Sequence, residues 1–177
     1  MPETQELRTA QEIFTGLYDE FMPKVYRYVF SRINNRETAE DLTSTVFEKA
    51  LVNFRRYSSD QAAFSTWIFS IARNTIIDYY RTSSKRRSLP LDEAFEVSVD
   101  EVSPQEDMEN KAEKECLMKS LAKLSSWDQE IIRLKFTAEL SNRQIAKMLG
   151  LSESNVGVRL FRAIKRLRED FEETWNG

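Results

Sequence analysis

The stretch from Asn142 to Leu167, NRQIAKMLGLSESNVGVRLFRAIKRL, limits the fold more than any other part of the chain. Apolar residues recur with helical spacing on both sides of one glycine. Ile145 and Leu149 mark one face of a short helix, and Ala146 is small enough for a second helix to cross closely. Gly150 fits a helix C-cap, where a positive φ favours glycine. Leu151 is placed to plug the turn, and Ser152 or Ser154 to cap the next helix. Val156, Leu160, Ala163 and Leu167 then occur at spacings of four, three and four, the pattern of a buried helical face. A short helix, a tight turn and a longer helix make a helix-turn-helix.

The same stretch is basic. Glu153 is its only acid, against Arg143, Lys147, Arg159, Arg162, Lys165 and Arg166. Asn155, Arg159, Arg162 and Arg166 fall off the buried face. A helix fits the major groove of B-form DNA, with its N-terminal residues nearest the base edges. The helix start also attracts phosphate. The bland competitor is a small bundle whose basic helix is merely solvated. The joint spacing of Ala146, Gly150 and Val156 favours the DNA-binding reading over charge alone.

The chain's formal net charge of -3 conceals this basicity. Between Ser88 and Asn110 stand Asp92, Glu93, Glu96, Asp100, Glu101, Glu106, Asp107 and Glu109, with no Lys or Arg. Removing those eight negative charges from the total of -3 leaves +5 on the rest of the chain. Pro90 and Pro104 discourage a continuous helix there. Alternation around Phe95, Val97 and Val99 has no partner strand. The segment reads as a flexible acidic linker, and it divides the chain into residues 1–88, 89–110 and 111–177. It is either a solvated loop or an anionic segment that tracks or shields a basic surface.

Both flanks read as helical, so the expected fold class is all-α: two small helical domains. In the first, TAQE at Thr9 has capping-box form. Ile13, Leu17, Phe21, Val25, Tyr26, Val29 and Ile33 make an apolar stripe, which Pro23 is expected to kink or divide. A second helix carries Ala39, Leu42, Val46, Ala50 and Phe54 on one face, with Phe47 and Leu51 alongside. Its acids, among them Glu40 and Asp41, lie away from that face, as ordinary solvation or as a docking face for a basic partner. The third helix, FSTWIFSIARNTIIDYYR, packs Phe64, Trp67, Ile68, Ile71, Ala72 and Ile76 inward, with Ser65 a candidate cap. Arg73, Asn74 and Arg81 point elsewhere. Before it, Arg55, Arg56 and Tyr57 open a polar loop, and after it come Lys85, Arg86 and Arg87. Cations beside aromatics and amides suit single-stranded nucleic acid, whose bases stack and whose phosphates need neutralising. In the second domain a leading helix runs from about Lys111 to Leu124. In the next, Ile131, Leu134 and Phe136 are expected to face inward and Trp127 to pack near the start.

The chain has no histidine. That removes His-based catalytic triads and His-containing metal sites. It has neither a Walker loop nor a GxGxxG pattern. No catalytic residue, cofactor or metal ion is expected. Cys116 is the only cysteine, so no intrachain disulfide can form, and burial is its default reading. No apolar run is long enough to span a bilayer, and MPETQELRTAQE lacks the features of a signal peptide. A cytoplasmic protein is expected.

Taken together, TAEDLTSTVFEKAL, FSTWIFSIARNTIIDYYR and the helix-turn-helix, in this order, resemble bacterial sigma factors of the extracytoplasmic-function (ECF) type in the sigma-70 superfamily. The resemblance covers about Ile13 to Arg87 (region 2) and Ala112 to Glu169 (region 4), with the acidic linker where region 3 would stand. It implies a dissociable subunit of bacterial core RNA polymerase that directs it to promoters, contacting the beta-prime and beta subunits. Glu40, Asp41, Leu42 and Phe47 match the segment that docks on beta-prime. Arg55, Arg56, Tyr57, Arg73, Asn74 and Arg81 fall in the part that opens and reads the -10 element. Ser154, Asn155, Arg159, Arg162 and Arg166 belong to the reader of the -35 element. An anti-sigma partner is implied, and no direct membrane insertion. Two departures stand out. Ser70 and Ile71 occupy positions where housekeeping relatives carry DNA-melting tryptophans, and Gly157 stands where many relatives place Lys or Arg. The rival readings are a free-standing helix-turn-helix regulator, which would dimerise on a palindrome, and an adaptor that binds protein through its acidic helix.

Overall fold

Three helices build the first body of the protein, in a computed structural model that describes the backbone of residues 2–87 and 108–176 and the side chains of 11–83 and 112–174. Helix α1 spans Pro2–Ile33, α2 Arg36–Asn53 and α3 Phe64–Arg87. A single 3-10 turn, Phe54–Arg56, comes after α2. Asn35 caps α2, its side chain accepting from the Thr38 N–H. Among the described residues no strand occurs, in keeping with the all-α expectation.

The core of this body joins Phe14, Phe21, Val25, Tyr28, Val29 and Ile33 of α1 to Ala39, Val46, Phe47 and Ala50 of α2. Ile68, Phe69, Ala72 and Ile76 of α3 complete it. Aromatic edges lock the corners: Phe21 meets Phe64 at 5.1 Å between centroids, and Tyr28 meets Phe69 at 5.5 Å. Helix α1 differs from expectation at both points. It starts at Pro2, seven positions before Thr9, and it runs on through Pro23. Proline removes one backbone donor, yet Phe21 and Val25 on either side are buried against α2 and α3 and hold the next turn in place. Ile13, read as part of the stripe, is exposed, while Phe14 is inside. Ser65 lies within the first turn of α3 and caps nothing; its Oγ accepts a 2.7 Å hydrogen bond from Gln144.

The second body comprises α4 (Met108–Ala122), α5 (Ser126–Ile132), α6 (Asn142–Leu149) and α7 (Glu153–Asn176). A π-helical turn, Arg133–Thr137, extends α5. Its wider winding explains a missed orientation. Leu134 faces inward as expected, but Phe136 is 60% exposed. Trp127 is also largely outside. Cys116 is buried between α4 and α7, its sulfur 3.9 Å from the Phe171 carbonyl. The linker reading covers residues 89–110, most of which, with the possible strand at Phe95, lie outside the described residues.

The two bodies touch. Glu130 on α5 is buried and takes charge-assisted contacts from α1 and α3. Tyr28 donates to it at 2.6 Å, Arg32 donates to its other oxygen, and Arg73 approaches to 3.5 Å. Arg133 donates at 3.3 Å to the Ser31 carbonyl. Lys24 pairs with Glu139 at 2.9 Å.

Candidate nucleic-acid interface

The helix-turn-helix forms as the spacing requires. Ser141 and Gln144 make a reciprocal capping box at the start of α6. Gly150 ends the helix at φ 68°, a left-handed conformation that a Cβ would strain. Leu151 donates its N–H to the Ala146 carbonyl and closes the turn. Of the two candidate caps for α7, Ser152 is the one used, accepting from the Asn155 N–H at 3.1 Å. Val156, Leu160 and Ala163 are buried, together with Ile145 and Ala146 of α6.

This packing pushes the polar side of α7 outward. Ser154, Asn155, Arg162 and Arg166 are exposed and Arg159 is half-buried; all five line one open cleft of about 560 Å³. Arg159 is held from two sides. Its Nε donates to Asn155 and its Nη1 to Asp128 of α5, each at 3.1 Å. Arg166 also borders a second cleft with Glu169 and Asp170. Val158 and Phe161 sit exposed on the same helix, Phe161 at 70%. Sequence pattern passed over both, although apolar residues in an otherwise basic, buried-face-sparing stretch were the available signal.

The expected single-strand surface is less uniform. Arg55 and Arg56 are exposed on the 3-10 turn. Tyr57 is half-buried: its ring lies 4.9 Å from Trp67, and its hydroxyl donates to the Ala62 carbonyl at 3.1 Å. Burial raises its pKa. Tyr57 thus pins the loop. Asn74 is exposed, and Arg81 pairs with Asp78 at 2.9 Å. Arg73 points across to Glu130 at 3.5 Å, with its side chain 29% exposed. The side chains of Lys85, Arg86 and Arg87 lie outside the described residues. Neighbouring this surface, Lys147 of α6 donates to the Gln61 carbonyl.

On α2, Glu40 and Asp41 are exposed, and Glu40 accepts from Arg36 at 2.9 Å. Leu42 is half-buried. Phe47 is a correction: at 5% exposure it belongs to the core, with its ring edge-on to Tyr18 at 4.7 Å. It can support a docking face only from beneath.

Residues 17–86 match the family described as Sigma-70 region 2, and residues 114–167 match Sigma-70, region 4. The chain is 30% identical over 164 residues to the RNA polymerase sigma factor YlaC of Bacillus subtilis, covering 89% of this chain and 91% of that one. It is also 30% identical over 156 residues to the ECF RNA polymerase sigma factor BldN of Streptomyces coelicolor; that match takes in 88% of this chain but 59% of the relative's length. In three dimensions it is similar to the sigma factor RpoE from Bartonella quintana, solved in complex with the anti-sigma factor NepR. The TM-score is 0.72 at 20% identity, over 91% of this chain and 98% of that one. It is similar too to CnrH, solved with the cytosolic domain of CnrY, with a TM-score of 0.64 at 21% identity over 92% of this chain and 90% of that one. At these identities the structural likeness speaks for the fold.

Proposed function

The chain belongs to the sigma-70 family, within its ECF group, and from that premise we propose how its two bodies share the work of an RNA polymerase sigma factor. Such a factor directs core polymerase to specific promoters and supports initiation. Residues 1–88 dock on core enzyme and engage the -10 element; residues 111–177 read the -35 element; residues 89–110 join them. Core enzyme is bound through its beta-prime and beta subunits, with Glu40, Asp41 and the flank of Leu42 facing beta-prime. The protein acts in the cytoplasm as an initiation factor without catalysis of its own. Among the described residues, no helix is long and apolar enough to cross a membrane.

The observation that carries this reading is the helix-turn-helix with its outward basic face on α7, in one chain with the first helical body, which has its own exposed cations at Arg55 and Arg56. On straight B-DNA, at about 3.4 Å per base pair, elements some 25 base pairs apart are separated by roughly 85 Å. Gln144 and Ser65 are 2.7 Å apart. The two bodies therefore part when both elements are bound, and Arg73 is then released from Glu130 to face DNA. An anti-sigma protein is the expected inhibitor, by analogy with the complex of RpoE with the anti-sigma factor NepR. Titration of fluorescently labelled full-length chain with core polymerase tests the reading. Tight, saturable, one-to-one binding supports it. Absence of binding to core enzyme, together with dimeric binding to palindromic DNA, would favour the free-standing regulator.

A further inference from the structure

Asp128 lies on α5, outside the helix-turn-helix, yet it lines the cleft of the recognition helix. Both of its oxygens are engaged. Oδ2 accepts from the Ser125 hydroxyl at 2.7 Å, and Oδ1 accepts from Arg159 Nη1 at 3.1 Å. The carboxylate side chain is 15% exposed and that of Arg159 40%. Ser125 is the N-cap of α5, so Asp128 is anchored to a helix end whose geometry is fixed. On the other side, Asn155 accepts from Arg159 Nε at 3.1 Å.

A carboxylate beside a DNA-reading surface opposes the approach of phosphates, so its presence there has to serve something else. The pairing has two consequences. The guanidinium is held in one pose before DNA arrives, so less side-chain freedom is lost on binding. Its charge is also largely cancelled, so it gains little from the phosphate field. What remains is an oriented set of N–H donors, and oriented donors are what base-edge readout requires. Arg162 lines the same cleft and shows no such carboxylate partner among the described residues.

We propose that Asp128 is a positioning residue that fixes Arg159 for base readout at the -35 element and keeps it from acting as a general phosphate anchor. This rests on the sigma-factor reading. Loss of Asp128 then frees Arg159 to track the backbone, which trades specificity for nonspecific attraction.

The test uses the full chain assembled with core polymerase. Holoenzyme selects from duplexes randomised across the -10 and -35 regions, and the selected duplexes are sequenced; affinity is then measured at several salt concentrations. Asp128→Asn is expected to lower discrimination at one -35 position about tenfold while total affinity at low salt holds or rises. The salt slope should steepen by about one unit. Arg159→Lys keeps the charge, loses the planar fork, and should lose the same preference even if Asp128→Asn folds poorly. The double variant should lose no further discrimination than either single change. A uniform loss on all sequences, with discrimination intact in both variants, would overturn the proposal and leave Asp128 a structural support of α5. Selection of no promoter sequence by the unaltered holoenzyme would overturn the sigma-factor reading itself, and this proposal with it.

Discussion

The phenol of Tyr28 donates a 2.6 Å hydrogen bond to the carboxylate of Glu130, 102 residues further along the chain. Tyr28 belongs to the first helical body and Glu130 to the second. Burial first, and then the Glu130 charge, push the Tyr28 hydroxyl well above the usual tyrosine range, so it stays a donor. Arg32 completes the contact, and its side chain and that of Glu130 are each only 5% exposed.

Glu130→Ala should therefore be costly. It removes the buried carboxylate that Tyr28, Arg32 and Arg73 share, and breaking a buried pair in this way costs about 3–5 kcal/mol. Urea unfolding of the full chain would show the loss, either as a lower midpoint or as a split into two transitions as the bodies uncouple. Tyr28→Phe should cost less, about 1.5–3 kcal/mol for one hydrogen bond to a charged group. A loss below about 1 kcal/mol for Glu130→Ala would mean that the contact contributes little to holding the bodies together.

Gly157→Ala should stabilise the protein. Gly157 lies inside α7 and a Cβ there would meet only the Asn142 side-chain nitrogen, at 3.8 Å, an ordinary contact. The gain is about 1 kcal/mol from helix propensity. A higher Tm with unchanged circular dichroism checks it; a lower Tm would show that α7 needs the glycine for packing.

Asp41→Arg should weaken binding to core polymerase while leaving the fold intact. Asp41 is exposed on α2, whereas the neighbouring Phe47 is core. Affinity for core enzyme is the measurement and circular dichroism the folding control. Unchanged affinity would remove Asp41 from the docking face. Leu42→Ala makes a poorer probe, because truncating a packed leucine costs up to several kcal/mol, about 2–5 in a full core.

Arg162 and Arg166 should fail differently. Both are exposed, one turn apart, and Arg162 is nearer the start of α7. Arg162→Ala should cost a base contact, about 1–3 kcal/mol, and blur one -35 position. Arg166→Ala should weaken binding on all promoters alike and reduce the salt slope by about one unit. Binding of holoenzyme to single-base -35 variants at several salt concentrations separates them. Equal weakening on every variant by Arg162→Ala would make Arg162 a backbone clamp.

The helix-turn-helix was legible because its determinants are local. Gly150, the capping serine and the helical spacing of Val156, Leu160 and Ala163 act within a few residues of one another. Glu130 was not legible. In sequence it is one more acid in a helix, and only the tertiary fold brings Tyr28, Arg32 and Arg73 to it. Arg73, expected to be free to meet DNA, is engaged for the same reason. Phe136 was misplaced because a π-helical turn adds a residue to the winding and rotates the side chains beyond it. Phe47 shows the reverse: its place beside Val46 in the apolar pattern described its burial better than the family role did.

On the sigma-factor reading, one chain carries two separate promoter contacts and delivers both through core polymerase. Transcription in vitro by the reconstituted holoenzyme, on selected promoters with the -10 or the -35 element scrambled in turn, tests it most directly. Core enzyme alone should be inactive on these templates, the chain should restore specific initiation, and scrambling either element should abolish it. Specific binding of the free chain to the -35 sequence, with no initiation when core polymerase is added, would contradict this reading.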